Sequence, residues 1–264
     1  MIDRDAAPLR ALVLDRAHRC LLVRDGEVCR VPTLMAPRPA RPLAAITQHV
    51  RSTLGITLPT PSGLRADAHG QVRDFVFLID APSAAPVSAA FEWAPLPRAL
   101  SLVDASGDDV WLWDVYVDRM LGGWEPPTRD IDVSRFGDAP EMAAKLAHLV
   151  VCGDKRGSAC WLRAAKLDGS ALPTVGLVTI VTDGFGYPRC AIRTEEVRVL
   201  PLAEADEAIA RLEGEGDLTI ADWREGHIGY FEREAERLGL RFDPREELLV
   251  ERFCVLRVLG RAGA

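Results

Sequence analysis

An α+β fold in two domains is what this sequence predicts, and three observations carry the prediction. Short β-branched and leucine-rich runs occur in groups separated by single segments of helical spacing. The pattern breaks near the middle at Gly122-Gly123-Trp124-Glu125-Pro126-Pro127, and two successive prolines, fixed in φ and without amide donors, let no helix cross it. The 264 residues, 48% of them hydrophobic, suffice for two cores of ordinary size. The divisions are 1–121, a linker over 122–137, and 138–260.

In the first domain, Arg10 to Leu14 and Cys20 to Arg24 are strand runs joined by a turn-prone Asp15 to Arg19, as in a hairpin. Leu43, Ile46, Val50 and Leu54 repeat at helical spacing, and Gly55 stands where a terminating glycine belongs. Phe75 to Ile79 is a further strand. Asp108 can cap a closing helix through Leu121, with Val110, Trp113 and Val117 on one face.

The second domain opens with a helix started by Asp138 or Pro140, striped by Met142, Leu146, Leu149 and Val150 and ended by Gly153. Strands are predicted over Cys160 to Arg163, Val175 to Thr182 and Arg189 to Leu200, the last two around the glycine-rich turn Asp183-Gly184-Phe185-Gly186. A short acidic helix follows over Ala203 to Leu212, then a long amphipathic helix from Thr219 to Leu238 and a closing strand over Leu248 to Leu259.

Composition narrows the function. It excludes a disordered tail, a collagen-like fibre and a membrane span. A net charge of −7 argues against long duplex DNA, which is gripped through many cationic phosphate contacts. Charge is uneven, however: Val151 to Arg198 holds seven basic and five acidic residues, room for a small basic pocket. Six scattered cysteines with no C-x-x-C pair read as reduced thiols, and no early stretch resembles an export signal, so a cytoplasmic location is expected. Of 32 basic residues only Lys145, Lys155 and Lys166 are lysine. Arginine cannot serve as a titratable amine, so a surviving lysine draws interest.

Lys155 lies in Gly153-Asp154-Lys155-Arg156-Gly157-Ser158, a tight loop between helix and strand that aims amides and an amine at one point. It reads equally as an anion or polar-ligand loop, with Gly153 and Arg156 at the ligand, and as a solvated turn. It is not a P-loop, because the G-x4-G-K-[ST] spacing is missing.

The first domain resembles the Nudix fold, an α/β/α arrangement on a mixed sheet, in its element order and its Phe75 to Trp93 stretch. In that family the box G-x5-E-x7-R-E-U-x-E-E-x-G-U binds divalent metal through clustered carboxylates. Aligned on Gly55, this sequence has Ser52 and Thr53 at the paired glutamates, Gln48 and His49 at the arginine and glutamate before them, and Ala40 and Leu34 at the outer glutamate and glycine. Neutral hydroxyls cannot replace two metal-binding carboxylates, so no metal site and no diphosphate hydrolysis through this box are expected. His49 beside Val50 reads as a packed or half-exposed side chain before it reads as a ligand.

The second domain resembles the ASCH domain, a PUA-like β-barrel with flanking helices. The residues that carry the likeness are Gly153-x-Lys155-x-x-Ser158, Leu172-Pro173-x-Val175-Gly176, Ala191-Ile192-Arg193-Thr194-x-Glu196-Val197, Glu213 to Thr219, Trp223 and Val250-Glu251-Arg252-Phe253. The resemblance implies chemistry close to RNA: some small bacterial members hydrolyse the amide of N4-acetylcytidine, some cleave RNA, and others bind without catalysis. In the amidohydrolase a lysine, a threonine and a glutamate act, and their places here are Lys155, Ser158 and Glu215. No cofactor is implied, and the partner is a modified nucleoside or short RNA.

Chemically, a lysine desolvated in a pocket can have its pKa lowered enough to deprotonate a hydroxyl, and Glu215 can serve the leaving amine or orient water. Glu213, two residues away, could take the glutamate role; equally, Glu213, Glu215 and Asp217 could form a solvated acidic turn before the next helix. Arg193, Thr194 and Glu196 lie on a strand whose alternation puts 194 and 196 on one face, either face being able to line a barrel mouth. Trp161 and Trp223 could stack on a base, although a tryptophan in an amphipathic helix is also a core residue. The alternatives to hydrolysis are a non-catalytic RNA or nucleotide-binding module and, last, Nudix-type diphosphate hydrolysis.

Overall fold

The computed structural model describes residues 6–15, 18–25, 28–37, 41–66, 72–79, 91–95, 99–100, 102–103, 108–168 and 172–260. The chain divides into two compact units, Met1–Trp124 and Glu125–Ala264.

The first unit is built on a mixed sheet. Strands β1 (Ala6–Asp15), β2 (Arg19–Asp25), β3 (Val28–Arg30), β4 (Thr33–Pro37), β5 (Gly63–Ala66), β6 (Val72–Ile79) and β7 (Phe91–Pro95) follow the path β3-β2-β1-β6-β5, with β4 on β1 and β7 on β2. The β1–β2 pair is the predicted hairpin, with Leu14 opposite Cys20, and β1 runs parallel to β6. Helix α1 (Pro42–Leu54) buries Ile46, Val50 and Leu54 against this sheet and stops at Gly55, whose φ of 70° suits a residue without a Cβ. Leu43, predicted on the same stripe, is exposed. In α2 (Asp108–Arg119), Trp111, Leu112, Trp113 and Tyr116 are buried. Val117 is half-buried; the Asp108 and Val110 side chains and Ala40 lie outside the described residues.

The second unit carries β8 (Ile131–Ser134), β9 (Gly157–Trp161), β10 (Val178–Thr182), β11 (Pro188–Pro201) and β12 (Glu247–Val258) in the order β8-β10-β11-β12-β9. Its helices are α3 (Pro140–Cys152), α4 (Leu162–Asp168), α5 (Glu207–Glu213) and α6 (Ile220–Leu238). Where a barrel was expected, the described strands form an open five-stranded sheet, since β8 and β9 end the path without pairing. Two further departures are local. Ile131–Ser134, within the stretch read as linker, is a strand parallel to β10. The strand expected over Cys160 to Arg163 begins three residues earlier and yields at Leu162 to α4, a run of good helix formers.

Pro140 occupies the first turn of α3, where its missing amide costs nothing, and Leu146 and Val150 face the core while Met142 stays exposed. Helix α6 is capped by Thr219, which accepts from the Asp222 amide, and buries Trp223, Phe231 and Ala235. Strand β11 is bulged against β12: Thr194 opposes Phe253 and Glu196 opposes Arg252, leaving Glu195 as the extra residue. The bulge cancels the expected alternation, so Thr194 is buried and Glu196 exposed.

Candidate functional site

The site begins where α3 ends. Gly153 turns left-handed at φ 98°, and the amides of Gly153, Asp154 and Lys155 all converge on the Leu149 carbonyl at 3.0, 3.0 and 3.1 Å. This tight end projects Lys155 inward instead of to solvent. The loop meets the end of α5 closely: the Arg156 amide donates to Leu212 O at 2.8 Å, and a Cβ placed on Gly214 would lie 2.1 Å from Asp154 O. With φ 66° as well, Gly214 is required twice over. Substitution Gly214→Ala is expected to cost roughly 1–3 kcal/mol through strain and overpacking, read as a lower urea midpoint. A midpoint within error of the parent would contradict this close approach.

That approach sets Lys155 between two glutamates. The amine is 1% exposed and donates to Glu213 Oε2 at 2.8 Å and Glu215 Oε1 at 2.5 Å. The Phe136 ring centroid lies 5.3 Å from Nζ. Glu213, equally buried, uses its other oxygen to accept from Trp223 Nε1 at 3.1 Å and to meet His227 Nε2 at 3.4 Å. His227 stacks on Trp223, four residues earlier on α6, with ring centroids 3.9 Å apart, and its Nδ1 meets Trp223 O at 2.9 Å. Both ring nitrogens face acceptors, an arrangement only the imidazolium satisfies in full.

The charge states follow. Burial pulls the Lys155 pKa down, but the two carboxylates outweigh it and hold the amine above its ordinary value. Glu213 is pushed up by burial, yet Lys155 and His227 bring it to about 2. Burial opposes the His227 charge, and the Glu213 bond overcomes it, raising the imidazole above its usual range. The expectation of a lysine lowered into a general base is therefore corrected: Lys155 is a fixed ammonium.

These groups line a cavity of about 530 Å³. Ser158 and Glu215 line it too, so Lys155, Ser158 and Glu215 are brought together, although among the described residues no hydrogen bond joins Ser158 Oγ to Lys155 Nζ. Glu251 also faces the cavity, 8% exposed, with its Oε2 accepting from Thr194 Oγ1 at 2.8 Å. The lining is acidic, not basic as the local charge surplus suggested. Asp138, Asp222, Glu213, Glu215, Glu225, Glu234 and Glu251 outnumber Lys155, Arg135, Arg233 and His227, because of the seven basic residues between 151 and 198 only Lys155 turns inward.

The remaining expected ligand residues are placed elsewhere or spent on structure. Gly153 ends a helix, and Arg156 folds back to donate to Val150 O and Lys155 O. Trp161 reaches the cavity wall, but it is 1% exposed, packs edge-on to Phe242 and donates to Glu246 at 3.3 Å, leaving no face for a base. Trp223 is buried with its indole N–H on Glu213. Arg193 and Glu196 are exposed on β11 away from the cavity, and Thr194 serves Glu251. Sequence reasoning gave no role to Phe136, His227 or Glu251, although Glu251 stands in the Val250-Glu251-Arg252-Phe253 run that carries part of the ASCH likeness. A lone glutamate closing the run Leu248-Leu249-Val250 was a legible signal for the last, since unpaired carboxylates are rare in buried strands.

In the first unit, the Thr53 and Ser52 hydroxyls donate to His49 O, at 2.6 and 3.1 Å, within their own helix. Among the described residues no three His, Cys, Asp or Glu side chains converge to hold a metal ion, and no helix is long and apolar enough to cross a membrane.

Two α+β units, the second enclosing a buried lysine-carboxylate cluster beside a polar cavity, define the class of protein. A family model described as ASCH domain matches residues 132–257. The second unit is an ASCH domain, and the chain belongs to the ASCH-domain proteins. A solved ASCH domain from Lactobacillus crispatus is 28% identical, over 54% of this chain and 92% of that one, with a TM-score of 0.48. A protein from Enterococcus faecalis is 31% identical, over 55% and 86%, with a TM-score of 0.47. The first unit is similar to Nudix folds, among them a mutT/nudix family protein from Listeria innocua at 14% identity, over 44% and 94%, with a TM-score of 0.34. No curated protein matches the sequence.

Proposed function

We propose that the ASCH domain binds an uncharged modified nucleoside of the N4-acylated cytidine class and hydrolyses its amide with side chains alone. The observation that supports this most is the cavity of about 530 Å³ in which Lys155, Ser158 and Glu215 share one lining. Ser158 supplies the hydroxyl nucleophile. Glu215, held by Lys155 and 28% exposed, is the carboxylate placed to orient the attacking water. Lys155 orients Glu215 by donating to its Oε1. The acidic lining favours a nucleoside over a nucleotide or short RNA, whose phosphates would meet carboxylates of like charge.

The test is incubation of the full chain with N4-acetylcytidine and its 5′-phosphate. Turnover is expected for the nucleoside, with the phosphate poorer, and Ser158→Ala is expected to abolish it. Turnover untouched by Ser158→Ala would place the chemistry elsewhere. A second reading, recognition without catalysis, is favoured by the engagement of the Lys155 amine with two carboxylates. Saturable binding of N4-acetylcytidine with no product would select it.

A further inference from the structure

A fixed ammonium cannot take the Ser158 proton, so the hydroxyl needs another base. Strand β12 provides one. Glu251 stands directly opposite Ser158 in the β9–β12 register, and residues so opposed carry their side chains on one face, with Cβ atoms about 4.5–5.5 Å apart. Both line the cavity. Glu251 interrupts a strand whose Leu248, Leu249, Val250 and Phe253 are all core, a place where a carboxyl persists only if it is held. Thr194 holds it, donating to Oε2 at 2.8 Å, and the β11 bulge at Glu195 accompanies the inward turn of Thr194.

We propose that Glu251 is the base that accepts the Ser158 proton, with Thr194 as its positioning residue. This rests on the amide-hydrolysis reading above. Ser158 Oγ bonds to the acyl carbon as its proton passes to the Glu251 carboxylate and the carbonyl π pair moves to oxygen. Collapse breaks the C–N4 bond; its electron pair stays on N4, which takes the proton back from Glu251 and leaves as the amine. Water then attacks the Ser158 ester and gives a proton to Glu251. The Oγ–C bond breaks, Oγ regains that proton, and the carboxylic acid departs. Burial lifts the Glu251 carboxyl above its ordinary value, against the Thr194 bond and the Lys155 charge, which brings the base nearer neutral pH. The other titrating groups around it are Asp132, Glu213 and Cys160, whose thiol burial pushes up to about 12.

The experiment uses the full chain and an activated phenyl ester of acetic acid, with acetylation of Ser158 followed by intact mass and N4-acetylcytidine turnover followed in parallel. Glu251→Gln is expected to slow acetylation about 100-fold or more and to remove the acidic limb of its pH profile. Thr194→Val slows it less, and Ser158→Ala abolishes it. If Glu251→Gln does not fold, Glu251→Asp, which withdraws the carboxylate by one methylene, is expected to show the slowing. Equal acetylation rates in Glu251→Gln and the parent overturn the assignment, and continued N4-acetylcytidine turnover would then leave the amide-hydrolysis reading standing. A parent protein not acetylated at Ser158 overturns it outright. Acetylation that depends on Glu251 without N4-acetylcytidine turnover supports the base assignment and removes the nucleoside reading.

Discussion

Replacing Lys155 by methionine is expected to lower the unfolding free energy at pH 7 by about 3–5 kcal/mol, although it removes one side chain and adds no bulk. The cost comes from what stays behind. Glu213 would remain a buried carboxylate with only Trp223 and His227 against it, and Glu215 would lose its anchor. The same reasoning makes the loss conditional on those charges. In a Glu213→Gln, Glu215→Gln background, Lys155→Met should cost much less, because no uncompensated carboxylate is left. Urea denaturation of the single, double and triple variants measures the coupling. Additive effects, or a single-substitution cost below about 1 kcal/mol, would mean that the cluster does not hold the amine.

Acidification should unfold this unit through Glu213. Its carboxyl has an ordinary value of 4.5 and stands at about 2 in the fold. A depressed carboxyl contributes stability that is fully present above its unfolded value and is lost as pH falls through its folded one. The window is therefore about pH 4.5 down to 2, and the size, at about 1.4 kcal/mol per pKa unit, is about 3 kcal/mol. Glu251 and Asp132 act with the opposite sign: burial raises both, so their contribution is present at low pH and lost as pH rises, which partly offsets the acid limb. His227 shapes the other side. Its raised value gives stability present below pH 6.5 and lost as pH rises through the folded pKa. Greatest stability is expected between these limbs. Glu213→Gln should flatten the acid limb and His227→Gln the alkaline one, in midpoints measured from pH 2.5 to 9; an acid limb unchanged by Glu213→Gln would refute the account.

Much of this was legible in the chain. Gly153 and Gly55 announced their helix ends because a left-handed residue needs a glycine whatever the surroundings. The α1 and α6 stripes were readable because helical spacing is a local property. Lys155 was singled out by lysine scarcity together with a glycine-bounded loop, and Glu215 by the resemblance to the ASCH domain, since its acidic run reads equally as a solvated turn. Other features depend on register, which only strand partners define. Whether Thr194 and Glu196 share a face could not be read from alternation, since one bulge residue reverses it. Ser158 and Glu251 are 93 residues apart and become neighbours through the β9–β12 pairing alone.

By itself, then, the sequence determined two α+β units, their helix ends and the identity of the lysine loop, all properties of local backbone preference and hydrophobic period. Tertiary structure decided the chemistry. Lysine next to apolar neighbours reads as a base of lowered pKa; lysine between two carboxylates, one of them fully buried, is a locked cation, and the difference is set by the approach of Gly214 to Asp154. The charge of the cavity was decided in the same way, because charge along a chain counts residues while charge at a site counts only side chains that turn inward.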